Sequence, residues 1–178
     1  NFSLAINISA RQLNDDSFLS KTTNLILQSG IKPCQLRFEI TESCLVKDFQ
    51  HVNETLSKLR SLGIRIELDD FGTGYSSLNS LYNLQINALK IDKSLVSNID
   101  NEAPTKEIIR ATIAMAKAMS IKVIAEGVET EEQKDFLNME GCDFQQGFLY
   151  SRPIPLEQFA DLLNQYEKQN LHTLPLAV

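Results

Sequence analysis

The sequence contains little of what several familiar kinds of protein site require. Its two histidines, His51 and His172, fall on a predicted helix and in the C-terminal tail, which argues against a histidine-rich zinc or iron site. Its three cysteines are odd in number and form no close pair, so reduced thiols in a cytoplasmic protein are favoured over a disulfide framework. These cysteines are Cys34, Cys44 and Cys142.

Long apolar runs and an excess of positive charge are also absent. No run is long enough to span a bilayer, and none follows the charged start of a signal peptide, so we expect no membrane contact by this segment. The net charge of −6 argues against binding of nucleic-acid polymers or anionic membranes through a basic face. A phosphate-bearing ligand would have to be held by metal ions, backbone amides or a few local cations.

What the sequence does contain is a regular alternation of apolar strands and amphipathic helices. Its 178 residues, 43% of them hydrophobic, suit one globular domain with a sizeable core. Strands are predicted over 4–8, 36–41, 64–69, 88–92, 122–126 and 143–150. Helices are predicted over 15–29, 48–62, 77–82 and 105–119, from 130 onward, and over 155–169. Six such units predict an α/β fold with a parallel sheet whose strands are buried on both faces.

Polar residues at the strand ends favour a barrel over an open sheet. Each of five stands at or near the carboxyl end of a different predicted strand: Asn7, Glu39, Asp69, Lys90 and Glu126. In a barrel such residues converge on one mouth, where barrel enzymes place their chemistry, whereas in an open sheet they would spread along an edge. A doubly wound open sheet is the alternative, but no glycine-rich nucleotide loop follows the first strand.

We therefore predict about six units of a (β/α)8 TIM-type barrel. A whole barrel takes eight units and typically ~250 residues, so the N-terminal part of the barrel is expected to be missing. The chain also opens on Asn1, which suggests a piece of a longer protein. The predicted domain covers residues 1–169, the C-terminal two thirds of the barrel, and 170–178 is expected to be a flexible tail.

Two adjacent carboxylates, Asp69 and Asp70, end the third predicted strand and precede a turn with two glycines. One interpretation is a solvated acidic turn before a capped helix. The other is a divalent-metal site, because these aspartates with Asn7 and Glu39 supply the oxygen ligands that magnesium, manganese and calcium prefer. Two such ions would clamp a phosphodiester and activate the attacking water, with Lys90 orienting that water or offsetting phosphate charge. Structural ion pairs at the strand ends are the alternative explanation.

Six motifs appear along the chain in a fixed order. They read NISARQ at 7–12, EITE at 39–42, DDFGTGYSS at 69–77, KID at 90–92, AEGVET at 125–130 and QGFLYSRP at 146–153. This set closely resembles the EAL-domain family, which comprises bacterial cyclic-di-GMP phosphodiesterases built on a modified eight-stranded barrel. The resemblance runs from Asn1 to about Leu163.

The resemblance implies a two-metal site, with Asp69 and Asp70 at the position of the second metal. The implied metal ligands are Asn7, Glu39, Asp69, Asp70 and Glu126. Lys90 matches the residue placed near the catalytic water. Glu126 is also implied in catalysis, as is Glu42, which matches the residue thought to hold the glycine loop in place.

The resemblance also implies a substrate site and a loop that links metal binding to dimerisation. The implied substrate-binding residues are Arg11, Asp92, Glu129, Gln146 and Arg152. The implied loop residues are Phe71, Gly72, Thr73 and Gly74. From the residues alone, Arg11 and Arg152 would be ordinary surface arginines, while Phe148 and Tyr150 would either line a guanine pocket or belong to the core.

The implied reaction is hydrolysis of one phosphodiester of cyclic-di-GMP to the linear dinucleotide pGpG, with Mg2+ or Mn2+ as cofactor. The implied partners are cyclic-di-GMP, a second copy of the chain in a homodimer, and regulatory sensor or GGDEF domains in the intact protein. Any membrane anchor of the intact protein would lie in those further domains.

One departure from the family pattern changes what is expected of the 178 residues alone. The Glu-Ala-Leu motif that names the family, whose glutamate is a metal ligand, does not occur in the chain. Either the chain is a fragment of an intact enzyme, or it is a degenerate member that serves as a cyclic-di-GMP receptor or a protein-interaction module. The presence of the other site residues favours the fragment. Its metal site is then incomplete, and the fragment alone is expected to be inactive or nearly so.

Overall fold

The computed structural model describes residues 2–45, 48–72, 78–100 and 103–168 of the chain. Within them, six parallel strands form one curled half-barrel sheet in the order β1 to β6, which confirms the predicted α/β partial-barrel fold. The strands are β1 (Leu4–Asn7), β2 (Leu36–Thr41), β3 (Arg65–Phe71), β4 (Ala88–Ile91), β5 (Lys122–Ala125) and β6 (Phe144–Gln145). Sequential parallel strands require a crossover between each pair, and helices supply it.

The helices connect the strands and follow the last of them. They are α1 (Ala10–Leu13), α2 (Phe18–Ser29), α3 (Phe49–Ser61), α4 (Leu78–Asn83), α5 (Lys93–Ser97), α6 (Ala103–Ala118), α7 (Glu131–Glu140) and α8 (Leu156–Lys168). Two short 3-10 turns, Pro33–Gln35 and Glu42–Leu45, flank β2. No helix in the described parts of the chain is long and apolar enough to cross a membrane.

The two faces of the sheet differ in chemistry. On the helix-facing side, alternate strand residues such as Ile40, Leu68 and Leu89 are fully buried in one apolar cluster with helix residues such as Leu56 and Ile109. The other face carries a set of charged side chains in mutual contact: Arg37, Glu39, Glu67, Asp69 and Lys90. The central strands are buried on both faces as expected, since Glu39, Glu67 and Lys90 are each at most 9% exposed, but the inner face of β2 to β4 is charged and not apolar.

Helix ends are fixed by local hydrogen bonds and by glycine. The helix α7 begins with a capping box, since the Gln133 backbone N–H donates to Thr130 Oγ1 at 3.2 Å and the Thr130 N–H donates to Gln133 Oε1 at 3.2 Å. The helix α2 ends at Gly30, whose φ of 69° is the left-handed conformation that glycine adopts without a steric penalty.

The predicted burial of the first strand is wrong. Strand β1 was expected to be buried like the other strands, but Leu4 and Ile6 are 44% and 37% exposed, because β1 forms one edge of the described sheet and pairs with β2 alone. Leu25 of α2 and Ile108 of α6 are also exposed. Both residues lie at the margin of an apolar stripe whose centre faces the sheet.

Several predicted boundaries also change. The helix expected from residue 15 begins at Phe18, and a separate short helix, α1, precedes it. The strand expected over 143–150 ends after Gln145, because Gly147 takes a φ of 157° and the chain turns there. The predicted tail 170–178 and the end of α8 at residue 169 lie outside the described residues.

Candidate active site

Lys90 lies at the centre of a cluster of acidic side chains at the mouth of the half-barrel. It is on β4 and is 3% exposed. Its Nζ lies 2.9 Å from Glu39 Oε1, 3.2 Å from Asp69 Oδ1 and 2.6 Å from Glu126 Oε1. The structure thus brings together four of the five strand-end residues singled out in the sequence.

The strand register explains why these side chains meet. Asn7 of β1 pairs with Glu39 of β2, whereas Asp69 of β3 pairs with Thr41, which follows Glu39 by two residues on β2. Asn7 is exposed at the end of β1, beside Glu39 in the register. Neighbouring parallel strands therefore carry these residues near their carboxyl ends, at one rim, which is the arrangement of barrel active sites.

The charges of the cluster stabilise the ammonium form of Lys90. Burial opposes that charge, but hydrogen bonds and charges from Glu126 and Glu39 outweigh burial and raise the pKa of Lys90 above its usual value. Burial raises the pKa of Glu126, and the ammonium of Lys90 lowers it in part. Among the described residues, the site therefore holds one cation, Lys90, against several carboxylates and has capacity for more positive charge.

Three carboxylates are arranged in a way that fits a divalent cation. Oxygens of Asp69, Asp70 and Glu126 lie within 4.8 Å of one another, close enough to share an ion. Glu39 is outside this group and joins it through Lys90. Burial raises the pKa of Asp70, and the negative charges of Asp69 and Asp92 raise it further, so a bound cation would relieve an existing repulsion.

The backbone is distorted where the two aspartates meet. The register of β3 with β4 shifts between Leu68 and Phe71. Asp70 takes a φ of 55°, a conformation uncommon for residues other than glycine, and its N–H donates to Asp69 Oδ1 at 3.0 Å. Such bulges re-aim side chains, and here the bulge places two successive carboxylates at the same rim.

The two glutamines after β5 point in different directions. Gln146 Nε2 donates to Glu126 Oε1 at 2.6 Å, which places Gln146 at the acidic cluster. Gln145 is buried on the other side, where it accepts from Tyr150 Oη at 2.8 Å and donates to Asn138 Oδ1 at 2.8 Å. Tyr150 therefore contacts Gln145 and not the acidic cluster.

The predicted loop is described only in part. Glu42 is buried in the 3-10 turn after β2, and its charge contributes to raising the pKa of Asp70, so it lies near the aspartates. Phe71 ends β3, and Gly72 has a φ of 105°. Thr73 and Gly74 lie outside the described residues.

A pocket of about 390 Å³ opens beside the acidic cluster. Its lining includes Lys93, Glu129, Gln146, Phe148 and Arg152. The Phe148 ring is 47% exposed, with the Arg152 guanidinium 4.6 Å and Lys93 Nζ 5.5 Å from its centroid. The pocket combines an aromatic face with two cations, a suitable surface for a base and a phosphate.

Lys93 was missed in the sequence, although it directly follows the Lys-Ile-Asp motif. Its Nζ lies 2.6 Å from Glu129 Oε1, which holds the lysine at the pocket wall. Two other predicted substrate residues occupy different positions. Asp92 caps α5 by accepting from the Ser94 N–H at 2.9 Å and from the Ser94 hydroxyl. Arg11 is exposed on α1, the helix that follows β1.

Proteins of known sequence resemble this chain. A family model described as the EAL domain matches residues 1–153. The cyclic di-GMP phosphodiesterase NbdA of Pseudomonas aeruginosa is 40% identical over 163 residues, which are 92% of this chain and 21% of that protein. The chain spans about a fifth to a quarter of the length of the curated relatives it matches first.

Solved structures share the fold as well. The PaMucR phosphodiesterase in complex with c-di-GMP superimposes with a TM-score of 0.84 at 38% identity, covering 88% of this chain and 64% of that one. Klebsiella pneumoniae BlrP1 in complex with manganese and cyclic-di-GMP gives a TM-score of 0.78 at 33% identity, covering 85% and 39%. With its motifs, its half-barrel and these matches, the chain belongs to the EAL-domain family.

Proposed function

We propose that the chain is the catalytic domain of a cyclic-di-GMP phosphodiesterase that forms linear pGpG. The observation that carries the proposal is the acidic cluster around Lys90, in which carboxylates from three strands surround one buried ammonium. It is supported by the matched relative named as a cyclic di-GMP phosphodiesterase and by matched structures that hold the nucleotide. The activity is proposed for the intact protein, with the family's Glu-Ala-Leu segment supplied.

The proposed cofactor is a pair of Mg2+ or Mn2+ ions. Their proposed ligands are Asn7, Glu39, Asp69, Asp70 and Glu126, and the shared reach of three of these carboxylates fits such ions. When bound, the ions would polarise the phosphodiester and lower the pKa of the attacking water. The matched BlrP1 structure contains manganese with the nucleotide, which supports this choice of metal class.

In the proposed mechanism Lys90 acts through its permanent charge. Its raised pKa keeps the ammonium protonated at neutral pH, so it acts as a hydrogen-bond donor to the attacking water or to a phosphate oxygen and not as a base. Glu126, bonded to both Lys90 and Gln146, fixes the direction of that ammonium. Glu42 is proposed to hold the loop that begins at Phe71 and Gly72.

The proposed substrate site is the pocket beside the acidic cluster. A guanine base would stack on the exposed face of Phe148, while Arg152 and Lys93 would meet phosphate oxygens. Glu129 positions Lys93, and Gln146 lies between pocket and cluster. The remaining proposed substrate contacts are Arg11 and Asp92.

The proposed assembly follows the family pattern. The loop 71–74 would connect the metal site to the partner subunit of a homodimer. Sensor or GGDEF domains in the intact protein would regulate the activity, and we place the reaction in the cytoplasm, where cyclic-di-GMP would be the partner of the domain.

The first prediction concerns the product. Full-length protein incubated with cyclic-di-GMP and Mn2+ should form pGpG, measured by liquid chromatography. Asp69→Asn should lower kcat by about a hundredfold or more, because loss of residues behind metal ligands alone costs 10- to 100-fold. The control Asp135→Asn changes an exposed carboxylate on the outer helix α7 and should leave kcat unchanged.

Two outcomes would contradict the proposal. If the intact protein binds cyclic-di-GMP but forms no pGpG under conditions in which a matched phosphodiesterase does, the domain is a receptor. If both aspartate variants behave alike, the acidic cluster has no part in the reaction.

A further inference from the structure

A second buried ion pair lies on the inner face of the sheet below the acidic cluster. Arg37 Nη1 of β2 and Glu67 Oε1 of β3 are 3.4 Å apart, and the two side chains are 13% and 4% exposed. Neither residue belongs to the motifs of the family resemblance or to the proposed ligand set.

Its position places it directly behind two of the proposed metal ligands. Glu67 is the register partner of Glu39 across β2 and β3, and it precedes Asp69 by two residues. Arg37 precedes Glu39 by two residues on β2. Because residues two apart on a strand share a face, Arg37 lies beneath Glu39 on β2 and Glu67 lies beneath Asp69 on β3, while Glu67 stands beside Glu39 in the register.

The pair is incompletely hydrogen-bonded. Arg37 Nε and Glu67 Oε2 are both buried and have no hydrogen-bond partner within the described parts of the chain. A buried ion pair with unsatisfied atoms gains little net stability over apolar side chains of the same size, because desolvation costs about as much as the attraction returns. We therefore expect the pair to affect the carboxylates Glu39 and Asp69 more than the stability of the fold.

Charges of the two layers act on each other. Burial raises the pKa of Glu67 and Arg37 lowers it, and the next influences on it are the negative charge of Glu39 and the positive charge of Lys90. Electrostatic influence is reciprocal, so an uncompensated Glu67 would repel Glu39, and an uncompensated Arg37 would attract it.

We propose that the Arg37–Glu67 pair is a positioning element that keeps the Glu39 carboxylate directed to Lys90 and the metal site. Glu67 neutralises Arg37 and so prevents the guanidinium from drawing Glu39 down into the barrel. Arg37 in turn neutralises Glu67 and removes a like charge from beside Glu39. The inference rests on the proposed function only in taking the carboxylate cluster as a metal site.

The test measures Mn2+ affinity of the full-length protein by isothermal titration calorimetry without nucleotide. Glu67→Gln preserves shape and leaves Arg37 uncompensated, so it should weaken Mn2+ binding about tenfold, the effect usual for residues that orient a metal ligand. The double variant Arg37→Gln with Glu67→Gln removes both charges and should return the affinity to within about threefold of the original. The KM for cyclic-di-GMP should change less than the Mn2+ affinity in the single variant.

A matched control uses an ion pair far from the mouth. Arg110 Nε and Glu140 Oε1 are 2.8 Å apart on α6 and α7, and Glu140→Gln should leave Mn2+ affinity unchanged. The proposal is wrong if Glu67→Gln lowers the melting temperature but not the Mn2+ affinity, or if the double variant binds Mn2+ no better than the single one. Mn2+ binding without pGpG formation would overturn the proposed hydrolysis and leave this inference standing, whereas an unchanged protein that binds no Mn2+ would overturn this inference.

Discussion

Lys90 is the residue on which the arrangement of the site depends. A buried ammonium is costly unless carboxylates surround it, and here three carboxylates in turn depend on the ammonium to limit their mutual repulsion. Removing the Lys90 ammonium would leave the carboxylates to repel one another without compensation. A divalent cation bound to them would supply the missing positive charge.

We predict that Lys90→Met destabilises the protein by about 3 kcal/mol at neutral pH, the usual cost of breaking a buried charge pair. Mn2+ should recover more stability in this variant than in the unchanged protein, because the ion restores positive charge. Urea denaturation of full-length protein with and without Mn2+ measures both effects. The control Lys122→Met alters an exposed ion pair with Asp143 and should change stability by less than about 1 kcal/mol.

The pH dependence of this deficit has a defined sign. Burial raises the folded-state pKa of Glu126 above its ordinary value, so protonation of Glu126 stabilises the folded protein as pH falls through that pKa. Lys90 lowers the pKa of Glu126, and without Lys90 the stabilisation begins at a higher pH. The deficit of Lys90→Met should therefore shrink between pH 7 and pH 5 in metal-free buffer, and a deficit independent of pH would contradict the account.

At the scale of elements, the ends of the strands decide where the functional groups lie. Strand β6 stops after two residues, and the segment from Gln146 to Leu149 continues alongside the residues that follow β5. The Val128 N–H donates to the Gln146 carbonyl and the Leu149 N–H donates to the Val128 carbonyl, each at 3.0 Å. This pairing carries Gln146 to Glu126 and Phe148 to the pocket.

Gly147 allows the backbone at this position to lie very close to the backbone of Val128. A Cβ at this position would meet the backbone N and O of Val128, and backbone atoms there cannot move aside cheaply. We predict that Gly147→Ala displaces Gln146 and Phe148 and lowers kcat/KM for cyclic-di-GMP about a hundredfold, as a displacement of roughly 1 Å does in other enzymes. Steady-state kinetics of the full-length protein measures it.

The control is Gly30→Ala at the end of α2. A Cβ at Gly30 meets nothing within 4 Å, although its φ of 69° is unfavourable for alanine. This variant should lose about 1 kcal/mol of stability and keep its kcat/KM. Equal losses of kcat/KM in the two variants would show that the unfavourable φ of the new alanine, and not its contact with the Val128 backbone, accounts for the effect.

The position of residues at strand ends also explains how much of the site could be predicted from the sequence. Glu39, Asp69, Lys90 and Glu126 stand at or near the carboxyl ends of apolar runs, so the barrel prediction already groups them at one rim. The different directions of Gln145 and Gln146 depend on where β6 stops. That point is set by the hydrogen bonds to Val128 and not by the strand propensity of the residues themselves. Lys93 and the Arg37–Glu67 pair needed the three-dimensional register, since no motif marks them.

At the scale of the whole molecule, the half-barrel separates stability from chemistry. The apolar cluster between sheet and helices holds the fold, while the inner face carries charges in two layers that contribute little net stability. Because apolar and polar residues alternate along β2 to β4, the same strands supply both the apolar core on one face and the charged site on the other. A parallel sheet of this kind tolerates a charged inner face because its helix-facing side is fully covered.

This separation also explains which whole-molecule features were predicted and which were not. Six strand–helix units follow from the periodicity of apolar residues, and the structure confirms them. Exposure of Leu4 and Ile6 was not foreseen, because an edge position depends on which strands lie beside β1 and not on the residues of β1 itself. Apolar pattern thus predicts the type of element more reliably than its burial.

The central claim is that the carboxylates around Lys90 hold divalent metal ions next to the phosphodiester of cyclic-di-GMP. The most direct measurement is an anomalous difference map at the manganese edge from crystals of the full-length protein grown with Mn2+ and cyclic-di-GMP. The account predicts two manganese peaks about 3.5–4 Å apart, in contact with Asp69, Asp70 and Glu126 and beside a phosphate of the nucleotide. Nucleotide bound in the pocket with no manganese peak at these three carboxylates, and with the ion pairs of Lys90 unchanged, would contradict it.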